Sequence, residues 1–417
     1  MACGTPNLDA PILRRAAFLL WWIAIVGSPS RAQVVRGSPD TTAVAVDSSD
    51  VASVARGAQA SFERIRVRHL PRTYGSFGGS CDEVVGRICV TFGEGEWYPG
   101  PEASEIVDAR RALIAELDSL QTLVPRDSWI LGQRVWYRAE AGAWETALAT
   151  ARECGPEGGR SWWCLALEGF ALHGLGRYGR SQAAFDEALS GMDRDRARRW
   201  SIPRWPVEGR VRDVLDEARE GEGREDAGVA EPTDRVHALV ERLWTLADPL
   251  YLVEGNDRRT AHLARWVASE IRSEARNPFR LRWGDDLTEL TVRHGWQKGW
   301  ERIPARSPSY RDQVIGHDHP LGRDYMPSAE ALLAPATAEP EAMVPRLRRP
   351  RSLYAPEYAP VLLPMDGQLA VFPRGETMVV VSSHFLPADT THHASHDHPK
   401  PWLEAAEQAS MPSSMGL

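Results

Sequence analysis

Apolar residues recur at helical spacing most clearly between residues 235 and 302. Val236, Leu239, Val240 and Leu243 mark one face of a helix capped by Thr233 or Asp234. Asp248-Pro249 stops it, because proline has no N–H and crowds the preceding turn. A second helix is predicted from about Asp257, with Ala261, Ala264, Val267, Ala268, Ile271 and Ala275 on one face and Asn277-Pro278 at its end. Trp283-Gly284-Asp285-Asp286 makes a tight polar turn. Leu290, Val292 and His294 then alternate with Glu289, Thr291 and Arg293, which predicts a short strand closed by Gly295. Residues 233–303 are thus expected to form a small α+β domain.

Residues 101–200 carry an internal repeat. Gly142 and Gly176 stand 34 positions apart, as do Trp144 and Tyr178, Ala147 and Ser181, Ala151 and Phe185, and Cys154 and Ala188. One period earlier, Leu113, Leu117, Leu120 and Pro125 fit the second helix of a preceding unit. This array resembles the tetratricopeptide repeat, whose helical hairpins recur every 34 residues and bury their faces by stacking. The resemblance implies a concave face lined by the first helix of each unit, here by Arg134, Arg138, Glu168 and His173, and a peptide or protein partner held there.

The segment after it resembles the GWxTD domain of exported bacterial proteins. The likeness rests on the Trp-x-x-x-Asp-Pro run from Trp244 to Pro249, the W-x-x-D turn from Trp283 to Asp286, and the spacing from Glu289 to Gly295. Arg282 stands in place of the motif glycine and Asp285 in place of its threonine. The resemblance implies export and no particular activity.

The other segments have weaker patterns. Residues 1–32 look like a signal peptide: Arg14-Arg15, an apolar run from Ala16 to Gly27, and small residues at Ser30 and Ala32. Residues 33–60 lack a pattern and are expected to form a disordered leader. Residues 61–100 form a short irregular segment in which Cys81 and Cys89 flank a hairpin. Residues 201–232 are expected to be a linker that begins as a helix, and 304–352 a Pro-rich strap. Gln368 to Leu386, within a segment 353–387, reads as a β-hairpin turning at Arg374-Gly375, and 388–417 as a disordered tail. A two-stranded hairpin is marginal alone, so an unpaired edge near Met378 to Val381 would point to strand addition onto a neighbour. The expected fold is therefore mainly α, tetratricopeptide-like hairpins followed by a GWxTD-like α+β domain and a short β-rich end.

Composition narrows the function classes. The chain has 417 residues and a formal charge of −8. Residues 1–32 are net positive, so the remainder stands nearer −10, which argues against a nucleic-acid partner or a polybasic membrane face. Four cysteines follow residue 32. They allow three pairings, of which the local one, Cys81–Cys89 with Cys154–Cys164, closes two short loops in an exported chain. Paired C-x-x-C spacing for zinc is absent.

Candidate chemistry is sparse. Asp285 and Asp286, with Glu289 and His294, are a candidate polar site, and would serve a metal-dependent hydrolase if the turn brought them together. As turn and capping carboxylates they would only accept backbone N–H groups. His317, His319 and the tail histidines His392, His393, His396 and His398 could bind soft metals, although such tails also chelate adventitiously. No cofactor fingerprint, Walker loop or nucleophile elbow is present. The expectation is an exported, non-enzymatic interaction or envelope scaffold protein in the periplasm or medium. It would bind a protein or peptide, hold no metal or cofactor, and have no membrane span once the signal is cleaved.

Overall fold

The computed structural model describes residues 48–73, 81–91, 100–154, 161–221, 232–248, 253–305, 312–317, 326–338, 367–374 and 377–384. The expected signal peptide and tail lie outside these residues. Among them the chain is mainly helical, with three small antiparallel strand pairs.

α1 spans Ser48–His69. Val51, Ala55 and Phe62 form its apolar stripe, and Gln59, Glu63 and Arg66 continue that stripe with polar groups that are also buried. Residues 48–60 are therefore ordered helix and not leader. Their apolar period is broken by buried polar residues whose partners lie far along the chain. α2, Ser104–Leu123, packs against α1 through Ile106, Leu113 and Leu117.

Two helical hairpins follow. α3 (Ser128–Glu140) and α4 (Trp144–Arg152) form the first, α5 (Trp162–Gly174) and α6 (Tyr178–Ser190) the second. The side chain of Asp127 caps α3 by accepting from Ile130 N at 2.8 Å, and Ser161 caps α5. Gly142 and Gly176 turn the two hairpins at the same place, with φ of +75° and +69°, a region that favours glycine. The hairpins exchange residue sizes. In the second, Gly169 lets α6 approach so closely that a Cβ there would lie 2.8 Å from the Phe185 ring. In the first, the equivalent positions hold Val135 and Ala151, both fully buried. A large residue faces a small one each time, from opposite helices. The disulfide Cys154–Cys164 joins the end of α4 to the start of α5, and Cys81–Cys89 closes the hairpin of β1 (Glu83–Val85) and β2 (Ile88–Val90), with Cα–Cα distances of 6.0 and 5.3 Å. The local pairing is thus the observed one.

α7 (Arg194–Ser201) ends on the fully buried Trp200. α8 (Gly209–Gly221) belongs to residues expected to be a linker, yet Val207, Val211 and Leu215 pack with Val236, Leu239 and Leu243 of α9 (Pro232–Ala247) into a second core. α12 (Ala329–Leu333), inside the expected strap, closes that core with Ala329 and Leu332. Arg242 Nη1 also donates to Leu332 O at 2.7 Å.

α10 spans Asp257–Ser273, capped by Asn256, whose Oδ1 accepts from Arg259 N at 2.7 Å. The expected strand at 289–294 is instead α11, Asp285–His294. Leu287, Leu290, Thr291 and His294 are buried at helical spacing, acids occupy the first turn, and Gly295 with φ +92° ends the helix. The strand comes later: β3 (Gly299–Ile303) pairs antiparallel with β4 (Gln313–His317). A parallel bridge ties Arg72 to Arg302. The main core runs across the expected boundary between repeats and central domain, because Leu263, Val267 and Ile271 of α10, with Val292 and Trp296, join the cluster built by α1–α7. β5 (Gly367–Arg374) and β6 (Thr377–His384) form the expected C-terminal hairpin, with Arg374 opposite Thr377.

Candidate functional site

The face of α3 and α5 expected to hold a partner is covered by α10 of the same chain. Gln133 Nε2 donates to Ile271 O at 2.8 Å, and His173 Nδ1 lies 3.0 Å from Thr260 Oγ1. The four candidate binding residues are engaged internally. Arg134 donates to Asp118 at 2.6 Å and to Glu153 at 2.7 Å, and Arg138 grips both oxygens of Asp118 at 2.7 and 2.8 Å. Glu168 accepts from Arg152 Nε at 2.8 Å. His173 is held neutral: burial beneath α10, with Lys298, Arg265 and Arg258 around it, lowers its pKa to about 3. Of these four, His173 meets α10, while Arg134, Arg138 and Glu168 pair with side chains on α2 and at the end of α4 of the same chain.

Beside that interface lies a buried polar network. Gln59 Nε2 donates to Tyr137 Oη and to Arg276 O, both at 2.9 Å, and Gln59 Oε1 accepts from Arg276 N at 3.0 Å. Tyr137 Oη donates to Glu63 Oε1 at 3.0 Å. Arg66 pairs with Glu140, which also receives Arg110 Nε at 3.2 Å. Desolvation raises the Glu63 pKa to about 7 despite the nearby Arg66, while Arg66 and Arg110 hold Glu140 below its usual value against the same desolvation. Arg272 of α10 donates to Gln297 Oε1 at 3.0 Å, and its guanidinium lies 5.2 to 5.9 Å from the rings of Trp136, Trp283 and Trp300. A perturbed carboxyl beside a tyrosine suggests catalysis. The cavity among these groups, however, is only about 10 Å³, room for about one water. It admits no substrate, and the network is a structural lock between α1, α3 and α10. Its signal in the sequence is the spacing of Gln59, Glu63 and Arg66 in line with Val51, Ala55 and Phe62.

The acidic candidates do not converge on an open site. Asp286 accepts Arg87 Nε at 2.6 Å and Nη2 at 2.8 Å, and these hydrogen bonds lower its pKa to about 2. Arg87 sits in the turn of the disulfide-closed β1–β2 hairpin and also donates to Arg282 O at 2.8 Å. Glu289 pairs with Arg293, which is bound to Glu83, and His294 Nε2 lies 3.5 Å from Glu83 Oε2. These residues clamp the hairpin onto α11. Asp285 shares the first turn with Asp286 at the helix N-terminus, where carboxylates favour the dipole. His317 Nε2 is 3.3 Å from Glu301 Oε2; His319 and the tail histidines lie outside the described residues. Among the described residues no group of three or more His, Cys, Asp or Glu is placed to hold a metal ion.

Among the described residues two open surfaces stand out. One is the β5–β6 hairpin. Phe372 and Val379 to Val381 are exposed, with Val380 at 50%. The ladder sets Phe372 opposite Val379 and Val371 opposite Val380, so both faces of the ribbon carry apolar residues. The other is a cleft of about 730 Å³ between α6 and α7 on one side and α9 on the other, reaching the first turn of α10. No family model, curated protein or solved structure matches the chain.

Proposed function

We propose that the chain is an exported, non-enzymatic interaction protein of an envelope assembly that takes its partner by strand addition at β5–β6. The carrying observation is a hairpin apolar on both faces and exposed at Phe372, Val379, Val380 and Val381. Near-continuous apolar strands are those that sheets bury on both faces, and open strand edges supply backbone hydrogen bonds to an incoming strand. In this reading the tetratricopeptide-like hairpins and the GWxTD-like segment form one scaffold that carries the hairpin, with the repeat groove closed by α10. Two disulfides suit an oxidising compartment, and no described helix is long and apolar enough to cross a membrane.

The test is cross-linking of the full chain in its native envelope fraction, compared with Val380→Lys. Recurrent cross-links mapping to 367–384 in the parent and lost in the variant support the reading. A cross-linking pattern unchanged by Val380→Lys sinks it.

A further inference from the structure

The two edges of the β5–β6 hairpin are not equivalent. Among the described residues its sheet has two strands, so each strand has an outer edge. Pro373 of β5 stands opposite Met378 and has no N–H to give it. That pair therefore exchanges no ladder bonds, and by alternation neither does Val371 with Val380, two residues on. At Pro373 the outer edge of β5 thus lacks a donor, and a charged residue, Arg374, follows it in sequence. β6 has neither device. Thr377 to Ser383 contains no proline and no Lys, Arg, Asp or Glu. Val380 directs its N–H and C=O away from β5, and it is the middle of the exposed run Val379, Val380 and Val381.

An unguarded edge takes a strand whose pattern matches it, and β6 matches itself. In an antiparallel pair, opposed residues either both exchange bonds or both do not. A two-fold axis between two copies of β6 must therefore pass at a residue and cannot fall between residues. With the axis at Val380, Val380 meets its copy and Val379 meets Val381, so every exposed valine faces a valine. With the axis at Val379, Val381 would face Thr377; with it at Val381, Val379 would face Ser383. The joined sheet runs β5–β6–β6–β5. Pro373 then stands on both outer edges, which stops growth at two copies. Resting on the strand-addition reading above, we propose that the partner at β6 is a second copy of this chain, joined antiparallel about a two-fold axis at Val380.

The experiment is sedimentation of the full chain and of single variants, with covalent dimer scored after mild oxidation. The parent should sediment as a dimer. Val380→Pro removes only an outward N–H, keeps the bonds of the β5–β6 ladder, and should sediment as a monomer. Val380→Cys should cross-link to its copy, because opposed residues of a bonded pair stand about 5.5 Å apart at Cα, within disulfide reach. Ser383→Cys, opposite Thr377 of the second copy, should give at least about tenfold less covalent dimer. A monomeric parent, a dimer that survives Val380→Pro, or equal cross-linking by the two cysteine variants overturns the proposal. The two readings fail separately. Native cross-links at 367–384 to a different protein, beside a monomeric purified chain, keep strand addition and overturn self-pairing.

Discussion

Two grooves border α10, and they differ in how much of the work of filling them the chain does itself. Along α3 and α5 the groove is closed. Ile271 and Thr260 of α10 meet Gln133 and His173, and Arg134 and Arg138 already hold Asp118. Between α7 and α9 a cleft is open among the described residues, and Val240 is left partly covered within an otherwise buried strip. Charged residues on the inner helices do not by themselves mark a binding face. Charges on an inner repeat helix are satisfied within a few turns of chain, so their presence says little.

Breaking the closed groove should have the largest effect. Arg138→Glu buries a carboxylate at position 138 beside the partly exposed Asp118, which keeps Arg134, and should cost about 3 kcal/mol of stability in denaturant unfolding. If the variant unfolds like the parent, the Arg138–Asp118 pair does not hold α3 against α2 as described. Next comes the disulfide that fixes the two hairpins against each other. Cys154→Ser with Cys164→Ser opens a loop of 10 residues and should cost roughly 2–3 kcal/mol by loop-closure entropy. Unchanged unfolding of the double variant would show that the bond does not fix the two hairpins against each other.

A pH comparison sharpens the same contrast. The Glu63 pKa is raised from 4.5 to about 7 in the fold, so the stability linked to its proton is full below pH 4.5 and is lost as pH rises through about 7. Glu63→Gln should remove that loss, changing the stability difference between parent and variant by on the order of 2 kcal/mol from pH 4.5 to 8. Parallel profiles would show that Glu63 is ionised throughout. His173 and His262 act in the opposite sense: both are lowered from 6.5 to about 3, so their contribution is present above pH 6.5 and is lost as pH falls toward 3. The smallest effect belongs to the open cleft. Arg194→Glu should shift stability by less than about 0.5 kcal/mol, as exposed substitutions do. A large loss would mean that Arg194 is part of the scaffold.

Much of the fold was legible where periodicity, stops and caps agreed. Pro249, Asn256 and the stripe Val236–Leu239–Leu243 placed α9 and α10, and Arg374-Gly375 placed the β5–β6 hairpin. The failures have physical causes. In α11 a run of alternating residues, Leu290, Val292 and His294, outweighed the helical set Leu287, Leu290, Thr291 and His294, and Gly295 suits the end of either element. In α1 the stripe is completed by Gln59, Glu63 and Arg66, polar residues that are buried only because partners arrive from other elements. The site was less legible still. That α10 fills the repeat groove depends on contacts such as Gln133 to Ile271, 138 residues apart, which no local pattern encodes. The cleft needs α7 and α9 brought side by side, and its residues carry no motif.

The contact between α1 and the end of α10 has a consequence in time. Gln59 exchanges hydrogen bonds with the backbone of Arg276, 217 residues away, and Arg56 pairs with Glu274 across 218. Closing so long a loop is entropically slow and must wait until the distant segment exists. The earliest described helix can meet α2 early but is expected to complete its lock late, once the end of α10 exists. In pulsed hydrogen exchange during refolding, α1 amides should gain protection after those of α5. Simultaneous protection would show that α1 docks first on α2 and waits there for α10.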